Sequence, residues 1–211
     1  MEAIETIKYK GYDINIIPDN YPQSPDEWSN DDYFLVYDHR DFYVKKSGFD
    51  PEDIFENMQN GKKTYDGYFY FPVYAYIHSG VHLQLKRWFN GLPQGHNEFD
   101  VSFRGFCLIK KTKGSYTMKK AYEIAQSVID EWNDYLSGNV YGYRVCKNDE
   151  VIDSCYGFYG DYEKSGIIEE AKSIVNYEVN KNLQNRLQNV KTWIKNNVPF
   201  EIRQKQILEF A

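Results

Sequence analysis

The chain of 211 residues has little of what disulfide frameworks and membrane spans require. Its three cysteines, Cys107, Cys146 and Cys155, are too few for a disulfide scaffold and are typical of buried thiols in a reducing compartment. No run of about 18 apolar residues occurs, and no basic segment precedes an apolar one at the N-terminus. We therefore expect a cytoplasmic protein without a signal peptide and without contact with a membrane.

Aromatic residues are abundant instead. The 20 tyrosines and 13 phenylalanines indicate sheet surfaces rich in aromatic side chains. The longest aromatic stretch, YFYFPVYAYIHS at 68–79, is predicted to be a strand, with further strands at 81–89 and 99–110. Because proline cannot donate to a ladder, Pro72 predicts an edge strand or a bulge. Alternation along the strand places one set of side chains in the core: Phe69, Phe71, Val73, Ala75 and Ile77.

Capping residues and apolar periodicity predict the helices. Asp50 is a suitable N-cap for a short helix that has proline at its first position, and Thr117 is suitable for a longer one. Apolar residues then recur at near-helical spacing through the C-terminal part of the chain. The predicted helices cover residues 49–61, 117–136 and 165–197.

These elements predict an α+β fold. We expect an antiparallel sheet rich in aromatics, covered by helices on one face, and a long C-terminal helix that leaves room for a homodimer. Charge and motifs suggest three segments: an acidic N-terminal region packed on or appended to the core, an α+β core domain, and a C-terminal helical extension. Their ranges are 1–65, 66–178 and 179–211.

The net charge of −6 conceals strong segregation along the chain. Residues 1–60 carry 14 acids and 5 bases, whereas residues 61–120 carry 3 acids and 10 bases. The segment 18–32, with three prolines and five acids, is predicted to be an exposed loop. Carboxylates of the first block could occupy a positively charged nucleic-acid channel of another protein, unless the charge blocks interleave and cancel. The candidates are Asp26, Glu27, Asp31, Asp32, Asp50, Glu52, Asp53 and Glu56.

A basic cluster offers the opposite interpretation, direct binding of nucleic acid. It lies next to aromatic strands, which suits contacts with phosphates and bases. The sequence pI of about 5.3 argues against this function, because phosphate binders usually concentrate positive charge. The cluster consists of Lys110, Lys111, Lys113, Lys119 and Lys120.

Catalytic chemistry is a further alternative. Cys155 or Ser79 could act as a nucleophile, with His78 as base and Asp153 to orient it. Neither nucleophile lies in a strand–turn–helix elbow, and Cys155 falls in a predicted strand, so a buried thiol and a turn serine are favoured.

Metal chemistry is not favoured by the histidine spacing. His78 and His82 are four residues apart, with His96 and Cys107 further along the chain. A strand–turn–strand at 78–82 does not ensure that the two imidazoles converge. We expect neither a metal nor another cofactor.

Several motifs occur together in a fixed order: IHSG at 77–80, GNVYGY at 138–143 and DSCYGFYG at 153–160. In this order they resemble a family of small proteins encoded by phages and mobile elements of Gram-positive bacteria. Members of that family typically read YxHSG, GDVYGY and DSCWGFYG, and the resemblance covers roughly residues 66–175. Tyr156 replaces the usual tryptophan, and FNGLPQG at 89–95 replaces a serine-rich segment.

The resemblance implies an inhibitor of a host defence nuclease. The family is similar to the pool from which anti-restriction and anti-CRISPR proteins acting on Cas9-type nucleases have been drawn, and it is largely unassigned as an enzyme. We therefore expect an anti-CRISPR protein that binds a Cas9-type ribonucleoprotein and blocks DNA binding or cleavage. A small hydrolase and a DNA-binding accessory protein stay open as alternatives.

Overall fold

A computed structural model describes residues 2–27, 32–37, 48–77, 80–85, 101–112 and 117–203. The strands are β1 (Glu5–Tyr9), β2 (Tyr12–Pro18), β3 (Tyr33–Tyr37), β4 (Thr64–Tyr65), β5 (Tyr68–Ile77), β6 (Val81–Gln84), β7 (Val101–Lys110), β8 (Val140–Lys147) and β9 (Glu150–Tyr159). The helices are α1 (Pro51–Gln59), α2 (Met118–Ser137) and α3 (Ile167–Asn197). Five candidate residues lie outside the described ranges: Asp31, His78, Ser79, His96 and Lys113.

The strands form two sheets. One has the order β1-β2-β8-β9, and the other has the order β3-β7-β5-β4, with β6 also paired to β5. Tight two-residue turns join three of the hairpins, at Lys10-Gly11, Asp66-Gly67 and Asn148-Asp149, and all six residues have positive φ, as type I′ turns require. The predicted α+β class with antiparallel pairing, aromatic clusters and a long C-terminal helix is confirmed.

One face of the five-stranded sheet packs against α2. The predicted core side of β5 is confirmed, because Val73 and Ala75 are fully buried and Phe69 and Phe71 are 7% exposed. The helix contributes a matching apolar stripe of Ala121, Ala125, Val128, Ile129 and Trp132. Its predicted ends are also confirmed. The Thr117 side chain accepts from the Lys120 N–H, and Gly138 closes the helix in the left-handed conformation.

The opposite face of the same sheet is covered as well. Ile54 of α1 packs there in a second cluster of buried side chains with Tyr70, Phe106, Leu108 and Val36. The tyrosine side of β5 therefore also contributes to a core. Since both faces of β5 are covered, its sequence is bulky at nearly every position.

Pro72 occupies a gap in the pairing of β5. On one edge, β4 pairs with residues 68–69 of β5 and β6 pairs with residues 74–77, so Pro72 falls between these two partners. On the other edge, the ladder with β7 shifts register between Val73 and Tyr74. The predicted bulge is therefore present, one residue after the proline. On the edge shared by β4 and β6, Pro72 faces neither strand, so its missing N–H donor costs no ladder hydrogen bond there.

Two compact units interleave along the chain. One comprises residues 1–17, 143–155 and 166–211, and the other comprises 18–142 and 156–165. The predicted segments 1–65, 66–178 and 179–211 were continuous in sequence because they were based on motifs and charge. Each compact unit instead combines stretches that are distant in sequence.

In the first unit, α3 lies against the β1–β2 hairpin. The side chain of Asn176 accepts from the Tyr9 hydroxyl (3.2 Å) and from the Lys10 ammonium (2.5 Å), and Asn182 donates to the Tyr12 hydroxyl (3.4 Å). The helix begins and ends as predicted, within two residues. Its buried residues, however, are confined to the first turns: Ile167, Ala171 and Val175.

We expect Ile54→Ala to destabilise the protein by about 2–5 kcal/mol, because it leaves a cavity beneath α1 at a fully buried position. Urea denaturation followed by circular dichroism measures this change. Gln59→Ala, exposed on the same helix, is the matched control and should change the free energy of unfolding by less than about 0.5 kcal/mol. Equal effects of the two variants would show that Ile54 does not anchor α1.

Candidate interaction surface

The most distinct surface feature is an acidic face on α1. The Asp50 carboxylate caps the helix by accepting from the Glu52 N–H at 2.8 Å, and Glu52 and Asp53 occupy the first turn. Acids at this end are favoured by the helix dipole. Glu56 follows one turn later, on the same side as Glu52. Ile54 packs on the sheet, so Glu52 and Glu56 lie on the opposite side of the helix, and all four acidic residues are exposed.

The carboxylates of this face are not ion-paired within the part of the chain that the structure describes. Glu52, Asp53 and Glu56 form no salt bridge there, and α1 itself contains no lysine or arginine. Asp32 differs, because its carboxylate lies 3.4 Å from the Lys110 ammonium. We name the set Asp50, Glu52, Asp53 and Glu56 the α1 acidic face.

An open cavity of about 570 Å³ adjoins the α1 acidic face. Asn57 donates to the Thr64 carbonyl at 2.9 Å and so holds β4 beside the helix. Partial burial, and then the charges of Asp53 and other carboxylates, raise the pKa of Tyr65 at the rim. The polar lining suits a group that donates hydrogen bonds or carries positive charge. The residues lining the cavity are Gly48, Phe49, Asp50, Asp53, Asn57, Lys62, Thr64, Tyr65 and Asp66.

The acidic segment that precedes β3 is only partly available to a partner. Glu27 is exposed, but Pro25 is buried and Asp26 is only 9% exposed, so the prediction of an exposed loop is wrong at these two positions. The physical reason is local, because the Ser24 hydroxyl donates to the Asp26 carboxylate and satisfies it. Asp31 lies outside the described residues.

A second group of carboxylates on α2 was missed from the sequence. Burial, and then the charge of Asp134, raise the pKa of Glu131, while burial is also the largest cause of the raised pKa of Asp134. Burial and the charge of Glu131 further raise the pKa values of Tyr33 and Tyr159. The signal in the sequence was DEWND at 130–134, where three acids flank Trp132 of the apolar stripe of α2.

The predicted basic cluster is divided by acidic neighbours. Lys110 pairs with Asp32, and the Lys120 ammonium lies 3.3 Å from Glu123. The ammonium of Lys111 lies 5.8 Å from the centre of the Phe69 ring, while Lys119 is exposed. Lys113 lies outside the described residues. Two of the five predicted phosphate contacts are therefore already ion-paired within the chain.

Two of the predicted catalytic residues lie near each other on β9. Asp153 and Cys155 are two positions apart, so they share a face of the strand. Burial, and then the charges of Asp153 and Glu170, raise the pKa of the nearby Tyr143 to about 12. These neighbours supply negative charge, whereas reactive thiols are found in electropositive surroundings. His78 and Ser79 lie outside the described residues, so the catalytic cluster stays a prediction.

The two described members of the histidine and cysteine set differ in setting. His82 is exposed on β6 opposite Tyr76, whereas Cys107 is fully buried in the core beneath α2, where burial raises the pKa of its thiol. Over the described ranges, no three histidine, cysteine or acidic side chains converge as metal ligands would.

None of the described helices combines the length and the apolar character that crossing a bilayer requires.

Comparison with known proteins found no matching family model, no similar curated protein and no similar solved structure. The motif resemblance therefore stays a prediction, and the geometry of the chain itself carries the functional argument.

The raised pKa of Glu131 predicts a pH-dependent stability. A raised pKa means that the folded state holds the proton more tightly, so the ionised carboxylate destabilises the fold at neutral pH and this effect disappears as the pH falls to about 4. Glu131→Gln should therefore raise the melting temperature at neutral pH and lose this advantage on acidification.

Thermal denaturation across this pH range measures the effect. Glu123→Gln, on the exposed side of the same helix, is the control and should change the melting temperature only slightly, because its ion pair with Lys120 is exposed. A lower melting temperature for Glu131→Gln at neutral pH would contradict the prediction.

Proposed function

We propose that the chain is an inhibitor that binds a host defence nuclease of the Cas9 type and acts in the cytoplasm of the bacterial host of a phage or mobile element. In this proposal the α1 acidic face takes the place of nucleic-acid phosphates and blocks DNA binding or cleavage. The single observation that carries it is the exposure of four carboxylates on and beside one short helix, without a salt bridge to Glu52, Asp53 or Glu56 in the described ranges.

The distribution of charge between the two units supports this proposal. The unit that contains α1 carries 20 acidic and 14 basic residues, whereas the other unit carries 11 of each. The net charge of −6 therefore belongs entirely to the unit that contains α1. A concentrated negative field steers a protein toward a positively charged channel and raises the association rate.

The inhibitory step follows from competition. Cas9-type nucleases hold the guide–target heteroduplex in a positively charged channel and contact its backbone rather than its sequence. Carboxylates fixed on a helix can accept hydrogen bonds from the same arginine and lysine side chains that contact phosphates. The cavity beside α1 would receive one such cationic side chain next to Asp53 and Asp66. This mechanism breaks no covalent bond and needs no cofactor.

Neutralising the α1 acidic face tests the proposal. The triple variant Glu52→Gln, Asp53→Asn and Glu56→Gln keeps the Asp50 cap and the shape of the helix, and we expect it to bind the nuclease at least about tenfold more weakly. Biolayer interferometry and a DNA-cleavage assay measure binding and inhibition. Binding by the unchanged chain should also weaken steeply as salt rises.

A control variant removes the same charge elsewhere. Glu150→Gln, Glu163→Gln and Glu201→Gln change three exposed carboxylates outside α1 and should leave inhibition unchanged. If the α1 variant inhibits as well as the control, another surface contacts the target. If the purified chain neither binds nor slows any such nuclease, the proposal is wrong.

Cys155→Ala separates this function from the hydrolase alternative. A stoichiometric inhibitor should lose no activity when the thiol is removed, provided that the melting temperature shows a folded protein. A titration of nuclease against inhibitor measures the stoichiometry. If the chain inactivates many equivalents of target and Cys155→Ala loses this activity, the chain is an enzyme.

A gel shift of duplex DNA by the chain alone would identify the accessory DNA-binding function.

A further inference from the structure

The second half of α3 leaves the sheet of its unit. Asn182 donates a hydrogen bond to Tyr12 of the β1–β2 hairpin, and every residue from 183 to 197 is exposed. At about 1.5 Å per residue, this exposed part of the helix is roughly 21 Å long. A helix in water is rarely stable through propensity alone, so a partner for its apolar side chains would add stability.

These exposed turns carry a narrow apolar stripe. Leu183, Leu187, Val190 and Ile194 are 38–55% exposed, and their spacings of four, three and four residues are those of a heptad seam. A stripe of this width suits another α-helix, whereas binding at a lipid surface requires a broader apolar face. Asparagine stands at the next seam position in each direction, at Asn180 and Asn197.

We infer that two copies of the chain pair through an antiparallel coiled coil of this part of α3. The order of the seam is the same in both directions: asparagine, four aliphatic residues, asparagine. When two such helices run in opposite directions, Leu183 packs against the partner's Ile194 and Leu187 packs against the partner's Val190. Asn180 then lies beside the partner's Asn197, so the polar side chains mark both ends and fix the register.

The residues that flank the seam select the antiparallel direction. Residues 181–197 contain no acid and four cations, of which Arg186 and Lys191 flank the stripe directly; the other two are Lys181 and Lys195. A parallel pair would place Arg186 beside the partner's Lys191, which is repulsive. The antiparallel pair places Lys191 beside the partner's Gln184. It also places Arg186 beside the partner's Trp193, a 62% exposed indole that suits a cation–π contact.

Sedimentation velocity of the full chain tests the pairing. The unchanged chain should sediment as a dimer that dissociates on dilution, and Leu187→Lys should raise the dissociation constant at least about tenfold by placing a charge in the seam. Thr192→Lys adds the same charge on the opposite side of the helix and should leave the dimer intact. Both positions are exposed, so neither variant should unfold the protein.

Thiol crosslinking tests the direction of the pair. A mixture of Leu183→Cys and Ile194→Cys chains should crosslink to each other with a short bis-maleimide, and peptide mass spectrometry separates this product from links through Cys146 and Cys155. Leu183→Cys alone should form little crosslink to itself, whereas a parallel pair would form it readily. A monomer at all concentrations, or efficient self-linking of Leu183→Cys, would overturn the inference. Neither assay contains a nuclease, so the outcome is independent of the proposed function.

Discussion

The pairing of β5 with β7 is the contact on which the described surface depends. Along β7, Phe106 and Leu108 point toward α1, while Cys107 and Ile109 point toward α2, and all four are at most 1% exposed. The two faces of this one strand pair thus provide the packing surfaces for α1 and for α2. The apolar side of α1 packs on this sheet through Ile54, and the acidic side of the helix is therefore left exposed to solvent.

Much of the local structure was predictable because it depends on neighbours in sequence. Asp50 and Thr117 cap their helices as expected, and Asp66-Gly67 forms the tight turn that its dipeptide indicates. The division into two sheets was not predictable in this way. Strands from distant segments pair there, as β2 does with β8, and period-two alternation does not name a partner strand.

The acidic candidates show the same limit at the level of single side chains. Charge and loop composition indicated exposure for Glu27 and Asp26 alike, yet a nearby hydroxyl allowed Asp26 to be buried. Acids on the polar side of a helix are common, so the sequence alone does not distinguish Glu131 from an ordinary exposed acid. Its unusual setting comes from partial burial near Asp134, Tyr33 and Tyr159, which only the three-dimensional arrangement reveals.

The attachment of α1 rests on a single fully buried side chain, Ile54, whereas α2 buries five. The free energy needed to open α1 locally should consequently be lower than that needed to open α2. Brief opening of α1 exposes far less apolar area than opening of α2, so its backbone amides would exchange with solvent through a low-energy, subglobal event. The element that carries the acidic face is thereby the one that can shift while the sheet beneath it stays folded.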